Sequence, residues 1–243
     1  MMRNIGLVIV FILVALEGLN ASILTTKHNL SSSGPGPVKA ITEDQICIFC
    51  HTPHRAITDT PLWNHTMSSA SYQLYTSPTL LSPTSPAIQP DGDSRLCLSC
   101  HDGTVAIGSV VNIGGSPTTI SMQGTGPGGV MPSGGGYIGT DLSGHHPVSI
   151  EVNANLITDK NTQCNNGIVS WKVCFPSSPV KLRPTNNQYG SSTPPRQGVQ
   201  CTSCHDPHND PNPPNTVFLR IGDRNNNTEL CTKCHIDCAL TCP

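Results

Sequence analysis

The chain has 243 residues and a formal charge of −2, from 13 basic and 15 acidic side chains. No long run of either sign occurs, so nothing in it suits nucleic acid or an anionic membrane surface. Apolar residues make up 36% and aromatics 4%, while glycine and proline number 22 each, which falls below the roughly 45–50% apolar share of an ordinary globular domain. Side chains alone do not supply a hydrophobic core, and the composition approaches that of a disordered chain.

Taken in order, Met1 to Ala21 reads as a secretory signal peptide. Arg3 is the positive start, Ile5 to Leu16 the apolar stretch and Leu19-Asn20-Ala21 the small-residue cleavage site. The apolar run is short for a bilayer span, and no later segment could cross a membrane. The mature chain is expected to start near Ser22 and to be secreted, to the cell surface or extracellular space or otherwise the periplasm. Residues 22–46 form an arm, Lys27-His28-Asn29-Leu30-Ser31 followed by the turn-rich SSSGPGP, expected to be extended rather than helical.

Residues 47–107 contain CIFCHTPH and CLSCHDGT. Between them the stretch from Pro61 to Tyr75 is expected as a short helix, followed by a Pro/Ser-rich connection. Residues 108–199 hold GGSP, GTGPGG and PSGGG, which predict a loop with little regular structure. GHHPVSIEVNANL then alternates as one short strand would, and residues 160–199 read as a further loop containing Cys164 and Cys174. Residues 200–243 carry CTSCHDPH and CTKCH.

One motif, Cys-x-x-Cys-His, therefore occurs four times: Cys47-Cys50-His51, Cys97-Cys100-His101, Cys201-Cys204-His205 and Cys231-Cys234-His235. This is the attachment signature of c-type haem. Two thiols reach the two vinyl groups of one porphyrin, and the next side chain points at the iron. Zinc sites also use paired cysteines, but zinc gives no reason for a histidine directly after every second cysteine, and the gaps exceed a ribbon loop. The expectation is four covalently attached haem c groups, which would supply the apolar bulk that the side chains lack. CHTPH in the first copy matches CHDPH in the third, so the chain reads as haem pair, long connection, haem pair.

His51, His101, His205 and His235 are the proximal iron ligands on this reading. Six other histidines remain as distal candidates. His54 and His208 lie three residues past their own proximal histidine, too tightly tethered to cross to the far face of the same porphyrin, but able to reach a neighbouring one. His146, stiffened by Pro147, is favoured over its neighbour His145. His65 follows Trp63, and His28 stands alone in the arm. The distal set read from this is His28, His54, His146 and His208, with His65 and His145 as weaker candidates. With this surplus there is no need to recruit Met67, Met122 or Met131. The spare cysteines, in an oxidising compartment, are expected to pair with their nearest neighbours in sequence, Cys164 with Cys174 and Cys238 with Cys242.

These residues resemble the multihaem c-type cytochromes whose motifs run CxxCHTPH, CLSCHDG, HPVS, CxSCHDPH and CxxCH, and KHNLSSSGPG and PLWNH fit the same pattern. Within that group the chain is similar to the tetrahaem members that polymerise outside the cell, the OmcE-like extracellular cytochrome filaments. The resemblance implies mostly irregular coil with a few short helices and strands, built around a row of four stacked bis-His haems. It implies electron transfer without a substrate, copies of the chain joined head to tail, multihaem cytochromes as donors and an external acceptor such as a metal oxide. It also implies one distal histidine supplied by an adjacent subunit, with His28 as the donor. A soluble periplasmic carrier and a multihaem reductase are the alternatives; the reductases keep an open iron, whereas all four motifs here end in histidine.

Overall fold

The computed structural model describes residues 22–57, 62–81, 89–188, 195–210 and 216–242. The signal peptide expected at 1–21 and part of the Pro/Ser-rich connection lie outside the described residues. Most of the described chain is coil. Its helices are α1 (Gly92–His101), α2 (Ala154–Asn165), α3 (Cys201–Cys204) and α4 (Thr228–Cys231), and its strands form patches of two or three.

Apolar packing is divided. A domain of this size ordinarily has one contiguous core. Here Ala40, Phe49, Val110 and Ile120 form one buried cluster, Tyr72, Leu98 and Leu142 a second, and Val152 and Leu156 a third. Each sits beside a motif. Phe49 lies within the first, Leu98 within the second, and Val199, which packs on the third cluster, is two residues before Cys201. The apolar side chains are thus gathered locally beside the motifs.

Three local expectations are corrected. The stretch 62–75 is not helical. Asn64 is buried between the first motif and a hairpin, with Asn64 N–H donating to the Cys50 carbonyl at 2.9 Å and Val111 N–H donating to the Asn64 carbonyl at 2.7 Å. These cross-chain bonds consume the groups a helix would use internally. The glycine-rich stretch after 108 is not mere loop: Ser109–Ile113 pairs antiparallel with Ser116–Thr119. Gly114 and Gly115, at φ of 60° and 99°, make the reversal that a side chain would strain. The stretch from 160 begins inside α2, which Asn153 caps by accepting the Leu156 N–H at 3.0 Å. The strand foreseen nearby exists in shorter form, Ile150–Glu151 against Gln197–Val199.

The N-terminal arm begins with a 3-10 turn, Ser22–Thr25, and is tied down along its length. Thr26, Asn29 and Ser31 are buried, and Lys39–Ala40 pairs with Met122–Gln123. Gly34 lies so close to the Asn29 carbonyl that a Cβ there would collide with it.

The four spare cysteines do form two disulfides, with the opposite pairing to that expected: Cys164–Cys238 and Cys174–Cys242. The cause is the strand pair Trp171–Val173 with His235–Asp237, antiparallel with His235 opposite Val173. It carries the C-terminus back beside α2 and sets Cys238 against Cys164, while the tail continues to Cys174. Bridges closing loops of 74 and 68 residues restrict the unfolded chain far more than neighbour pairing would. Non-reducing peptide mapping should therefore recover 164–238 and 174–242 linked fragments. Replacing Cys164 and Cys238 by Ser should lower stability by about 4 kcal/mol in chemical unfolding.

Candidate functional site

The four motifs are presented on short turns and helices whose geometry suits two thiols and an imidazole. In α1, Cys97, Cys100 and His101 stand at spacings of three and four, so all three share one helix face. Cys47–Phe49 is a 3-10 turn, after which His51 makes a bridge to Trp63. His205 leaves α3 in extended conformation and bridges Leu219, and His235 opens the strand that pairs with Trp171–Val173.

Histidine rings from distant parts of the chain face the motif histidines. The ring centres of His28 and His101 are 6.0 Å apart, those of His51 and His208 6.1 Å, and those of His146 and His235 6.1 Å. A metal–imidazole bond of about 2 Å on each side, plus roughly 1 Å from nitrogen to ring centre, gives a separation of about 6 Å when one iron lies between two rings. The donor set fits haem iron. Distance alone would not decide this, since His51 and Trp63 are also 6.2 Å apart. The free nitrogens add to it. Nδ1 of His28 lies 2.9 Å from the Pro207 carbonyl, that of His101 2.5 Å from Gly136, that of His146 2.8 Å from Pro147 and that of His205 3.1 Å from Val217. A carbonyl only accepts, so Nδ1 carries the hydrogen and Nε2 keeps its lone pair, the arrangement in which second-shell carbonyls orient metal-binding histidines.

Burial holds His28, His205 and His235 toward the neutral, ligating form. The pKa of His28 is brought down to about 4, chiefly by desolvation and also by His101 and His208, against the opposing pull of the Pro207 carbonyl. Its ring stacks on Phe218 with centres 4.3 Å apart. His28, expected to reach a neighbouring subunit, is thus turned inward onto its own chain, because the arm is bound down rather than free. His235 is likewise lowered, by burial first and then by His146 and Lys160.

The other candidates separate clearly. His65 is 1% exposed, and both ring nitrogens face carbonyls, Nδ1 that of Thr66 at 2.9 Å and Nε2 that of Ala106 at 3.2 Å. Its ring is committed to latching the backbone. His145 and His54 are exposed, as are His146 and His208, but unlike those two neither has a ring facing a motif histidine among the described residues. Among the described residues no second histidine ring faces His205. Sequence reading passed over Phe218, one of only four phenylalanines, whose rarity was the available signal.

The thiols of successive motifs lie close to one another in chain order. Burial first, and then Cys50, raise the Cys100 thiol well above its ordinary range. Cys97 is hydrogen-bonded to Cys201, which raises Cys97 and draws Cys201 down to about 7. Burial and then Cys201 and Cys231 raise Cys204, and burial and then Cys204 raise Cys234 to about 11. The first motif therefore neighbours the second, the second the third, and the third the fourth.

A family model for the doubled CXXCH motif matches residues 193–239, which span the third and fourth motifs. This match supports a multihaem c-type cytochrome. Such a chain binds haem covalently through its CxxCH motifs and serves electron transfer. No curated protein matches the chain.

The geometry at His65 gives a sharp expectation. His65→Ala should cost about 1–3 kcal/mol in chemical unfolding, because it strips hydrogen-bonding groups from a buried position. The absorption spectrum of the haem-loaded protein should keep the wild-type spin state. A high-spin component beyond that of the wild type would show His65 to be a ligand.

Proposed function

We propose that the chain is a secreted tetrahaem electron conductor in which successive haems follow the order of the motifs, each iron held by two histidines. The observation that carries this is the set of three facing histidine pairs at 6.0 to 6.1 Å. Bound haem supplies reversible one-electron iron chemistry, with bis-His ligation giving a lower potential than His/Met. The chain's own part is to fix geometry. The Pro207, Gly136 and Pro147 carbonyls aim Nε2 of His28, His101 and His146, and the contact between Cys97 and Cys201 brings the two halves of the row together. Saturation of an iron by two imidazoles leaves no position for a small substrate, which favours a conductor over a reductase.

The distal set at three of the motifs is then His208, His28 and His146, in the order of the proximal His51, His101 and His235. His205 needs a further histidine; the exposed His54 and His145 remain, and we assign His54, which stands in a motif's own turn. His54 sits three residues from His51, within a motif already engaged by His208, so it projects outward on a short stiff tether. Supplied from a second copy, it gives a heterologous contact, which propagates as an open filament unless the rotation closes. This supports head-to-tail assembly, with other multihaem cytochromes as donors and an external acceptor such as a metal oxide. A second reading rests on the same observation: in an isolated chain the position opposite His205 is open, and a small ligand could bind there as in a multihaem reductase.

Mass spectrometry of the mature chain should find four haem additions. His28→Ala should add one high-spin haem to the number the isolated wild-type chain shows. His54→Ala should remove filaments from cryo-EM images of the secreted protein and leave the three other haems low-spin. Filaments that survive His54→Ala, with a fully low-spin spectrum, would overturn the joint. Nitrite turnover by the assembled wild type would favour the reductase.

A further inference from the structure

Electrons crossing the chain must pass from the second motif to the third, and the contact between those motifs is polar rather than apolar. Gln200, directly before Cys201, is 1% exposed and joins the two sides. Its Nε2 donates to Asp91 Oδ1 at 2.7 Å and lies 3.3 Å from the Pro184 carbonyl. Its Oε1 accepts from the Ser94 N–H at 3.2 Å, from the Ser94 hydroxyl and from Ser149 Oγ at 3.1 Å. Ser94 Oγ in turn accepts the Cys201 N–H at 3.0 Å. Ser94 lies one helical turn before Cys97, so one side chain sets the start of α3 against the helix that carries the second motif. Thr202 donates to Asp93 across the same junction.

The surroundings are shaped to this residue. Asp91 stands at the N-terminus of α1 yet makes no capping bond there; its carboxylate instead accepts from Gln200, from the Thr185 hydroxyl at 3.0 Å and from the Asn186 N–H at 2.5 Å. Gly92 has φ of 46°, and a Cβ on it would meet the Pro184 carbonyl at 2.9 Å and Gln200 Nε2 at 3.2 Å. Ser94, Ser149 and Ser203 are buried with it, and Ser203 Oγ accepts the Gln200 N–H at 2.9 Å. A buried network in which every member is satisfied specifies one arrangement, whereas apolar packing would tolerate several.

We infer that Gln200 is a positioning residue for electron transfer, fixing the separation and mutual orientation of the second and third haem attachment sites. It acts through Ser94 and Asp91 on Cys97 and through its own backbone on Cys201, and it touches neither iron nor ligand. This rests on the multihaem reading above. Electron exchange falls steeply with distance, so the step between the two haem pairs is the one that Gln200 controls.

The test uses the haem-loaded full chain. Gln200→Leu keeps the volume and removes every hydrogen bond of the amide. The double change Asp91→Asn with Gln200→Glu rebuilds the central bond with donor and acceptor exchanged, at the loss of the long contact to Pro184 and of the Thr185 branch to Asp91 Oδ1. Haem count by mass spectrometry and the low-spin absorption spectrum report loading. Pulse-reduction kinetics report equilibration between the pairs, and electron paramagnetic resonance reports magnetic coupling of the second and third haems. In Gln200→Leu, four haems with the wild-type spin state are expected, with unchanged equilibration within each pair. Exchange between the pairs should slow several-fold, and the magnetic coupling should weaken. The double variant should return toward wild type. If Gln200→Leu loads poorly, Ser94→Ala, which deletes one bond only, should show the same selective slowing in smaller measure. Wild-type exchange between the pairs in the loaded variants, or slowing spread equally over all steps, overturns the assignment. A wild-type chain that carries no haem would instead overturn the multihaem reading itself.

Discussion

An imidazole binds iron only when it is neutral and only through a nitrogen that nothing else holds. On the function proposed above, the arrangement of this chain follows from meeting that condition repeatedly with little regular structure to help. Backbone carbonyls at Pro207, Gly136, Pro147 and Val217 each take one ring nitrogen, and each belongs to an irregular segment. A helix or sheet spends its carbonyls on its own ladder. Coil leaves them free to orient side chains, which gives the sparse secondary structure a purpose beyond composition.

The same condition explains why segments far apart in sequence are interleaved. His28 from the arm faces His101, and His208 from the third motif's turn faces His51. Each facing pair closes a long loop at an entropic cost that grows only slowly with length. Two disulfides perform the same service at the C-terminal end, where His235 begins a strand that Cys238 and Cys174 flank. Small apolar clusters lie beside individual motifs, and polar networks such as that at Gln200 set one motif against the next. Packing is thus local to each motif, and the register between motifs is assigned to hydrogen bonds.

His65 shows the condition operating in reverse. Its sequence setting, beside Trp63, made it a weaker candidate ligand. A neutral ring donates to only one of the Thr66 and Ala106 carbonyls, but backbone closes on both nitrogens and the ring is buried. The difference between a latch and a ligand is that neither nitrogen has room for a metal.

By itself the sequence determined the chemistry of attachment, because thioether formation and a proximal ligand demand Cys-x-x-Cys-His as a contiguous string. It also determined the shortage of apolar side chains and hence the absence of one large core. Individual turns were legible where glycine is obligatory, as at Gly114 and Gly115, although the hairpin they close was not. Only the tertiary structure decided which histidine faces which. It turned His28 inward and paired Cys164 with Cys238 rather than Cys174. It also drew the 62–75 stretch into cross-chain bonds instead of a helix. The physical reason is common to all three. Attachment is a local covalent requirement that spacing records, whereas ring pairing, cross-linking and backbone bonding depend on which distant carbonyl, thiol or strand the fold brings within a few ångströms.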